Sequence, residues 1–393
     1  MNINIDTSKL SDNDRKFMIE MLPYISTNID EIKVDGNNVY AVADEEFKDE
    51  VLEKVKQLED MIIGGKLNNK EAAIKNIYDK TSVSPANQES VFRTLLDNGA
   101  LIKISDGVYA YSGIVLKLMR YFNEKIADYG KETFKDVTEQ EYPVLYPVDK
   151  YSKGRYFESF PHYIMFSTVL NNDLDTLNRF ANNGINDERI FDEIKKPKNL
   201  LRHAACAPLY EIISDSVINE ESPKTYMVIG KCFRNEADNV YELARLNEFT
   251  MKEFVFVGTP QQCNENIAKA KELWYFFADT FKLKCKIDTA NDSFFASNYK
   301  KLKLFQILGD SKQEFKWNIP YNDNYIACSS ANFHRTHFSK PYNIKSNKGS
   351  FCHTACFAFG IERMVYAFLN QKGCNPAKWD KQTYDEISSY IDL

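Results

Sequence analysis

Cysteine is absent from the first 200 residues of this 393-residue chain, and all eight of its cysteines fall between Cys206 and Cys374. No two of them stand at Cys-x-x-Cys spacing, so spacing alone points to no structural zinc knuckle. The polar N-terminus, MNINIDTSKLSDNDRKF, lacks an apolar leader segment. Reduced thiols are therefore expected rather than a disulfide framework, with any thiolate chemistry in the C-terminal half. No apolar run approaches the roughly 18 residues of a membrane span, so a cytoplasmic protein with no membrane partner is expected. Glycine and proline are few, at 15 and 12 residues, and no repeat or low-complexity tract appears. Collagen-like and disordered classes are excluded. Excess positive charge is missing as well: the net charge is −6, which argues against an extended nucleic-acid surface.

What is present is 44% hydrophobic and 13% aromatic residues, enough for a large core with one main domain and an appendage. Residues 1–68 read as a small α/β module of unassigned role, with two short strands around DGNN and a charged amphipathic helix over 45–63. Residues 69–113 read as two helices followed by a hairpin, LIKISDGVYAYSG, with a winged-helix flavour. Residues 114–393 form the main domain, opening on a helix closed by Gly130. A charged, helical segment follows at 171–199.

Two motifs carry chemistry. The run GKCFRNEADNVYELARLNEFTMKE (230–253) reads as a hairpin bearing Arg234, Glu236, Arg245, Phe249 and Glu253. A guanidinium matches a phosphate, an aromatic face stacks on a purine, and a carboxylate accepts from an exocyclic amine. Salt-bridged surface hairpins have the same composition. The second motif, ACFAFGIERMVYAF (355–368), places Gly360, Glu362 and Arg363 at a helix start, where an Arg can meet a triphosphate. It also fits an ordinary helix start.

Taken together, the pair resembles motifs two and three of class II aminoacyl-tRNA synthetases, with seryl-type spacing across Arg245, Phe249 and Glu253. The resemblance implies an α+β fold, an antiparallel sheet flanked by helices. It gives ATP contacts to Arg234, Glu236, Arg245, Phe249, Glu362 and Arg363, with Arg234 and Arg363 catalytic through the α- and γ-phosphates. It implies Mg²⁺ with the ATP, although the seryl-type metal carboxylate is missing where IACSSAN stands. Pro147 lies where motif one and a homodimer interface are expected.

Where seryl enzymes carry Thr-x-Glu for the substrate ammonium, this chain has Ala204-x-Cys206, and Cys356 stands where motif three has Gly. With Glu253, these two cysteines make a three-ligand Zn²⁺ set with an open position for an α-amino nitrogen. Small buried thiols are the alternative, and Cys352 and His353 are rival ligands. The combination resembles a narrower family, the amino acid:[carrier protein] ligases, truncated relatives of the zinc-dependent seryl-tRNA synthetases of methanogens. SFPHY, HAACAPLY, ANDSFF, NFHRTHF and HTACFAFGIER carry that match over about residues 85–370. Ala358 departs from the family, which has Gly there. The family implies activation of a Gly-, Ala- or Ser-like amino acid, with Ala204, Ser330 and Asn332 at the substrate. Transfer then goes to a phosphopantetheinylated carrier protein, with tRNA not expected as a partner. Lys300, Lys301 and Lys303 are a candidate carrier-docking patch, with a solvated charged helix face as the alternative. The other readings are a zinc-dependent seryl-tRNA synthetase and a non-catalytic paralogue that senses an amino acid.

Overall fold

The computed structural model describes residues 1–393 apart from 27, 37, 65–73, 185–190 and 291–311. The boundary at 68/69, most of ANDSFF and the three lysines of the candidate docking patch lie outside the described residues.

The main domain is built on an eight-stranded sheet. In chain order its strands are β1 (Asn76–Lys80), β2 (Thr138–Glu141), β3 (Lys224–Phe233), β4 (Glu248–Gly258), β5 (Cys285–Thr289), β6 (Lys312–Ile319), β7 (Asn324–Arg335) and β8 (His353–Gly360). They lie side by side as β1-β5-β6-β7-β8-β4-β3-β2. Every pairing is antiparallel except the edge pair β2–β3, which is parallel. The expected α+β class therefore holds, with one parallel edge added.

Period-two alternation divides the sheet into two chemically different faces. Phe254, Phe256, Phe357, Phe359, Phe315 and Trp317 pack with the helices α1 (Gly113–Thr133), α2 (Pro260–Thr280) and α3 (Ile361–Lys372) in one core. Val228, Cys232, Val255, Val257 and Cys356 belong to a second core on the other face. That second core is roofed by residues 142–164 and 200–213 and includes a small antiparallel sheet of Leu145–Pro147, Met165–Ser167 and Asn199–Leu201. Helix α2 starts on a full capping box, Thr259 with Gln262, and Pro260 in its first turn. Proline there loses no hydrogen bond, since that N–H has no helical acceptor.

Three expectations shift. Gly130 does not close α1, which runs on to Thr133. A Cβ at Gly130 would stand 2.6 Å from Phe254 Cε1 and 3.1 Å from Met227 Sδ, so the glycine lets helix and sheet approach. Within 69–113 the described residues hold one short helix, Phe92–Asp97, and the hairpin Leu101–Ser105/Val108–Tyr111. Asn76–Lys80 is an edge strand of the main sheet rather than helix, and Val91, Leu95 and Leu101 join the helical core. The N-terminal module has its own core around Met18, Met21, Val39 and Leu58, built by three strands and two helices. Its second helix is Lys48–Gly64, close to the expected span.

Candidate active site

The hairpin β3–β4 pairs Cys232 with Phe249, Gly230 with Met251 and Val228 with Glu253. Phe249, Met251 and Glu253 therefore share one sheet face. Across β4–β8, Glu253 is opposite Ala358 and Val255 opposite Cys356. Across β7–β8, Ser330 is opposite Ala358 and Asn332 opposite Cys356. Alternation thus directs seven side chains from three strands into one cavity of about 620 Å³, which Arg234, Glu236, Arg245 and Arg363 also line.

At one end lie the charges. Arg234 donates from Nε to the His203 carbonyl at 3.3 Å, and its guanidinium carbon lies 5.1 Å from the Phe249 ring centroid and 5.4 Å from that of Tyr163. Arg363 donates to the carbonyls of Ala244 (2.6 Å) and Ala327 (3.2 Å), which leaves three of its five N–H groups for a ligand. Burial lowers the pKa of Arg363, and the charges of Arg245 and Arg234 lower it further. Three guanidinium groups thus act on one another across the cavity, an arrangement that an anion relieves. Arg245 Nη1 is 3.4 Å from the buried Glu236 carboxylate. Both oxygens of Glu362 are taken by Thr250, at 2.8 Å to its N–H and 2.9 Å to its hydroxyl, with Lys231 3.4 Å away. That carboxylate pins the hairpin to the start of α3.

At the other end lie the sulfurs. Cys206, Cys356 and Glu253 are buried at 7%, 4% and 1% exposure. Glu253 Oε1 accepts from the backbone N–H of Ala205 (2.9 Å) and Cys206 (3.2 Å). Cys356 Sγ stands 3.6 Å from Asn332 Nδ2 and 3.5 Å from His334 Nε2. Hydrogen bonding from Cys206, with His334 and Asn332 adding to it, holds Cys356 well below the usual thiol range. Cys206 is pushed up by the same contact and by burial. Burial and the neighbouring Cys356 raise Glu253 to about 7. Among the described residues no three His, Cys, Asp or Glu side chains are already arranged as a metal cluster. Cys352 and His353 do not line the cavity; His353 stacks near Phe333, ring centroids 5.6 Å apart.

Ala204 lines the cavity, and Asn332 Nδ2 reaches Ser330 Oγ at 3.3 Å and Cys356 Sγ at 3.6 Å. His334, given no role from sequence, places Nε2 3.5 Å from Cys356 Sγ and Nδ1 3.2 Å from Thr354 Oγ1. It follows Ser330 and Asn332 at two-residue spacing, a signal the sequence contained. Arg202, buried at 1% exposure, anchors the cysteine loop by donating to the carbonyls of Tyr142 (2.8 Å) and Lys231 (2.9 Å). It passes directly over Gly230, where a Cβ would meet Nη2 at 1.6 Å.

Residues 191–372 match the model of the tRNA synthetase class II core domain (G, H, P, S and T). The chain is 28% identical over 246 residues to a type-2 serine–tRNA ligase of Methanothermobacter thermautotrophicus, covering 61% of this chain and 48% of that protein. It is 26% identical over 293 residues to amino acid–[acyl-carrier-protein] ligase 1 of Bradyrhizobium diazoefficiens, covering 72% and 85%. Ligase 2 of that organism is 32% identical over 184 residues, 46% of this chain and 53% of that protein. The chain spans about half the length of the type-2 serine–tRNA ligases named first among these relatives. The M. kandleri SerRS, solved in complex with A. aeolicus tRNASec, shares the fold at a TM-score of 0.71 and 20% identity, over 98% of this chain and 77% of that one. By the sheet and these matches, residues 191–372 carry a class II tRNA synthetase core, and the chain is similar to the amino acid–[acyl-carrier-protein] ligases and the type-2 serine–tRNA ligases.

Proposed function

We propose that this chain is an ATP-dependent ligase that activates a small amino acid and passes it to the phosphopantetheine thiol of a carrier protein. The carrying observation is the two-ended cavity, with three guanidinium groups and Phe249 at one end and two thiols with Glu253 at the other. In the first step an amino-acid carboxylate oxygen attacks the α-phosphorus of ATP, the bond to the β-phosphate oxygen breaks, and pyrophosphate leaves. Arg234 meets the charge growing on the α-phosphate and Arg363 holds the γ-phosphate. Phe249 stacks on the adenine with Glu236 at its amino edge, Arg245 stands on the phosphate side of the nucleotide, and Mg²⁺ would accompany the phosphates. Ala204, Ser330 and Asn332 bound the amino-acid pocket. In the second step the carrier thiol attacks the acyl carbon, AMP leaves with the carboxyl oxygen, and the thiol proton goes to solvent.

The donor set at the sulfur end fits zinc. Cys206, Cys356 and Glu253 are all buried and line the same end of the cavity, Glu253 Oε1 accepting from the Cys206 N–H at 3.2 Å, and Cys356 favours the thiolate. These residues would hold Zn²⁺, which would supply a Lewis-acid anchor for a neutral α-amino group. Cytoplasmic location and a homodimer belong to the same reading. Exposed Leu145, Phe166 and Val169, on and beside the small three-stranded sheet, support the dimer.

The test is amino-acid-dependent pyrophosphate exchange with Gly, Ala and Ser, then transfer of labelled amino acid to a phosphopantetheinylated carrier or to tRNA. Exchange and thioester formation are expected. Labelling of tRNA alone would favour the serine–tRNA ligase reading, which similarity to the methanogen enzymes supports. Absence of exchange with every amino acid would leave a non-catalytic binder. Zinc should copurify at about one equivalent per chain, and Cys206→Ala and Cys356→Ser should each lose it. Unchanged metal content in both variants overturns the zinc assignment.

A further inference from the structure

The N-terminal module meets the main domain at the nucleotide end of the cavity. Glu20, near the end of the helix Asp12–Met21, places Oε1 2.8 Å from Arg245 Nη2 and lines the cavity itself. Its main-chain oxygen accepts from Asn239 Nδ2 at 3.1 Å. Tyr24 donates to the Asn235 carbonyl at 2.7 Å, and its ring meets His162 edge-on at 5.2 Å. The other edge of Arg245 faces Glu236 at 3.4 Å. Arg245 therefore stands between carboxylates supplied by two separately cored parts of the chain.

We infer that Glu20 is an internal competitor for the nucleotide: it occupies Arg245 until a phosphate displaces it, so the N-terminal module sets the affinity for ATP. The inference rests on the reading of Arg245 as a nucleotide contact. A polyphosphate arriving between two carboxylates meets like charge, so one of them must give way. Exposure decides which. The Glu236 side chain is 4% exposed, and releasing it would strand a buried charge. The Glu20 side chain is 21% exposed and has water to return to. Glu20 is also carried by a module with its own core, held at this contact by Tyr24 and the Glu20 main chain, neither of which depends on the carboxylate. A partner that lifts the module would free Arg245 and strengthen nucleotide binding without touching the sheet.

Calorimetric titration of the full chain with ATP, without amino acid, tests this through a cycle of Glu20→Gln, Arg245→Met and the double variant. Glu20→Gln should tighten ATP by about two- to fivefold, the scale of a partly exposed ion pair. Arg245→Met should weaken it. The double variant should match Arg245→Met, because the competitor has lost its target. Unchanged or weaker ATP binding by Glu20→Gln, with Arg245→Met weakened, overturns the competition and leaves Arg245 as a nucleotide contact. Unchanged binding by Arg245→Met overturns that contact and the competition with it. Melting temperatures near wild type show that each variant is folded. Should Arg245→Met unfold, Arg245→Lys serves in the cycle, since it keeps a charge but loses the forked contact.

Discussion

Single positions in this cavity act through neighbours as much as through ligands. Arg234 lies over the Phe249 ring, so removing either disturbs both. Arg234→Ala should lower the rate of adenylate formation by about 100-fold or more, read by pyrophosphate exchange. Phe249→Ala should weaken ATP by roughly 1–3 kcal/mol through lost base stacking; an unaltered Kd would make the ring a packing group. Gly230 is a plainer case. An alanine there would drive Arg202 Nη2 from its place, and that guanidinium cannot swing into water because it is buried and holds two carbonyls. Gly230→Ala should cost about 2–4 kcal/mol in denaturant unfolding and release the cysteine loop. The cavity-lining residues were reachable in the sequence through the two motifs and the resemblance they carry, and those on strands stand at alternate positions. His334 was reachable by the same counting from Asn332. Arg202 and Glu20 were not, since their partners lie 29 and 225 residues away and nothing local marks them.

At the scale of elements, the hairpin Lys224–Phe233/Glu248–Gly258 and the helix from Ile361 were readable from apolar alternation and its change to helical spacing. Gly130 misled for a physical reason. Glycine near a helix end usually supplies a left-handed cap, whereas here it lies within the helix and makes room for Phe254. Gly130→Ala should therefore destabilise through overpacking, by about 1–3 kcal/mol, rather than leave a helix with a better-formed end. A rise in melting temperature would show that Phe254 and Met227 yield to the methyl group. The strand Asn76–Lys80 escaped sequence reading because as an edge strand it has half a partner set and carries Asn, Asp and Lys.

For the whole molecule, the resemblance carried by the two motifs was enough for the class of fold but silent on how its parts meet. The N-terminal module was visible as a unit, and its docking beside Arg245 was not. The roof of the second core carries exposed Phe166 and Val169, at 52% and 62% exposure, next to the place where motif one was expected. Phe166→Glu combined with Val169→Glu should shift the proposed dimer towards monomer in sedimentation at micromolar concentration, because charge is excluded from an apolar interface. A dimer of unchanged affinity would move the interface elsewhere.

Strand β4 carries Phe249 towards the guanidinium end of the cavity and Glu253 towards the sulfur end, four residues apart on a strand paired with β3 throughout and with β8 from Met251 onward. Extended chain rises about 3.4 Å per residue, so in the proposed reaction the strand would act as a ruler of roughly 14 Å between the base and the amino group. Such a ruler has only even graduations. One residue inserted between the two would turn Glu253 into the helical core and bring Lys252, or the inserted residue itself, into its place. If the proposed activity holds, adaptation to a different amino acid is confined to exchanges of side chain at fixed spacing, with the gap between nucleotide and amino group held constant by the backbone.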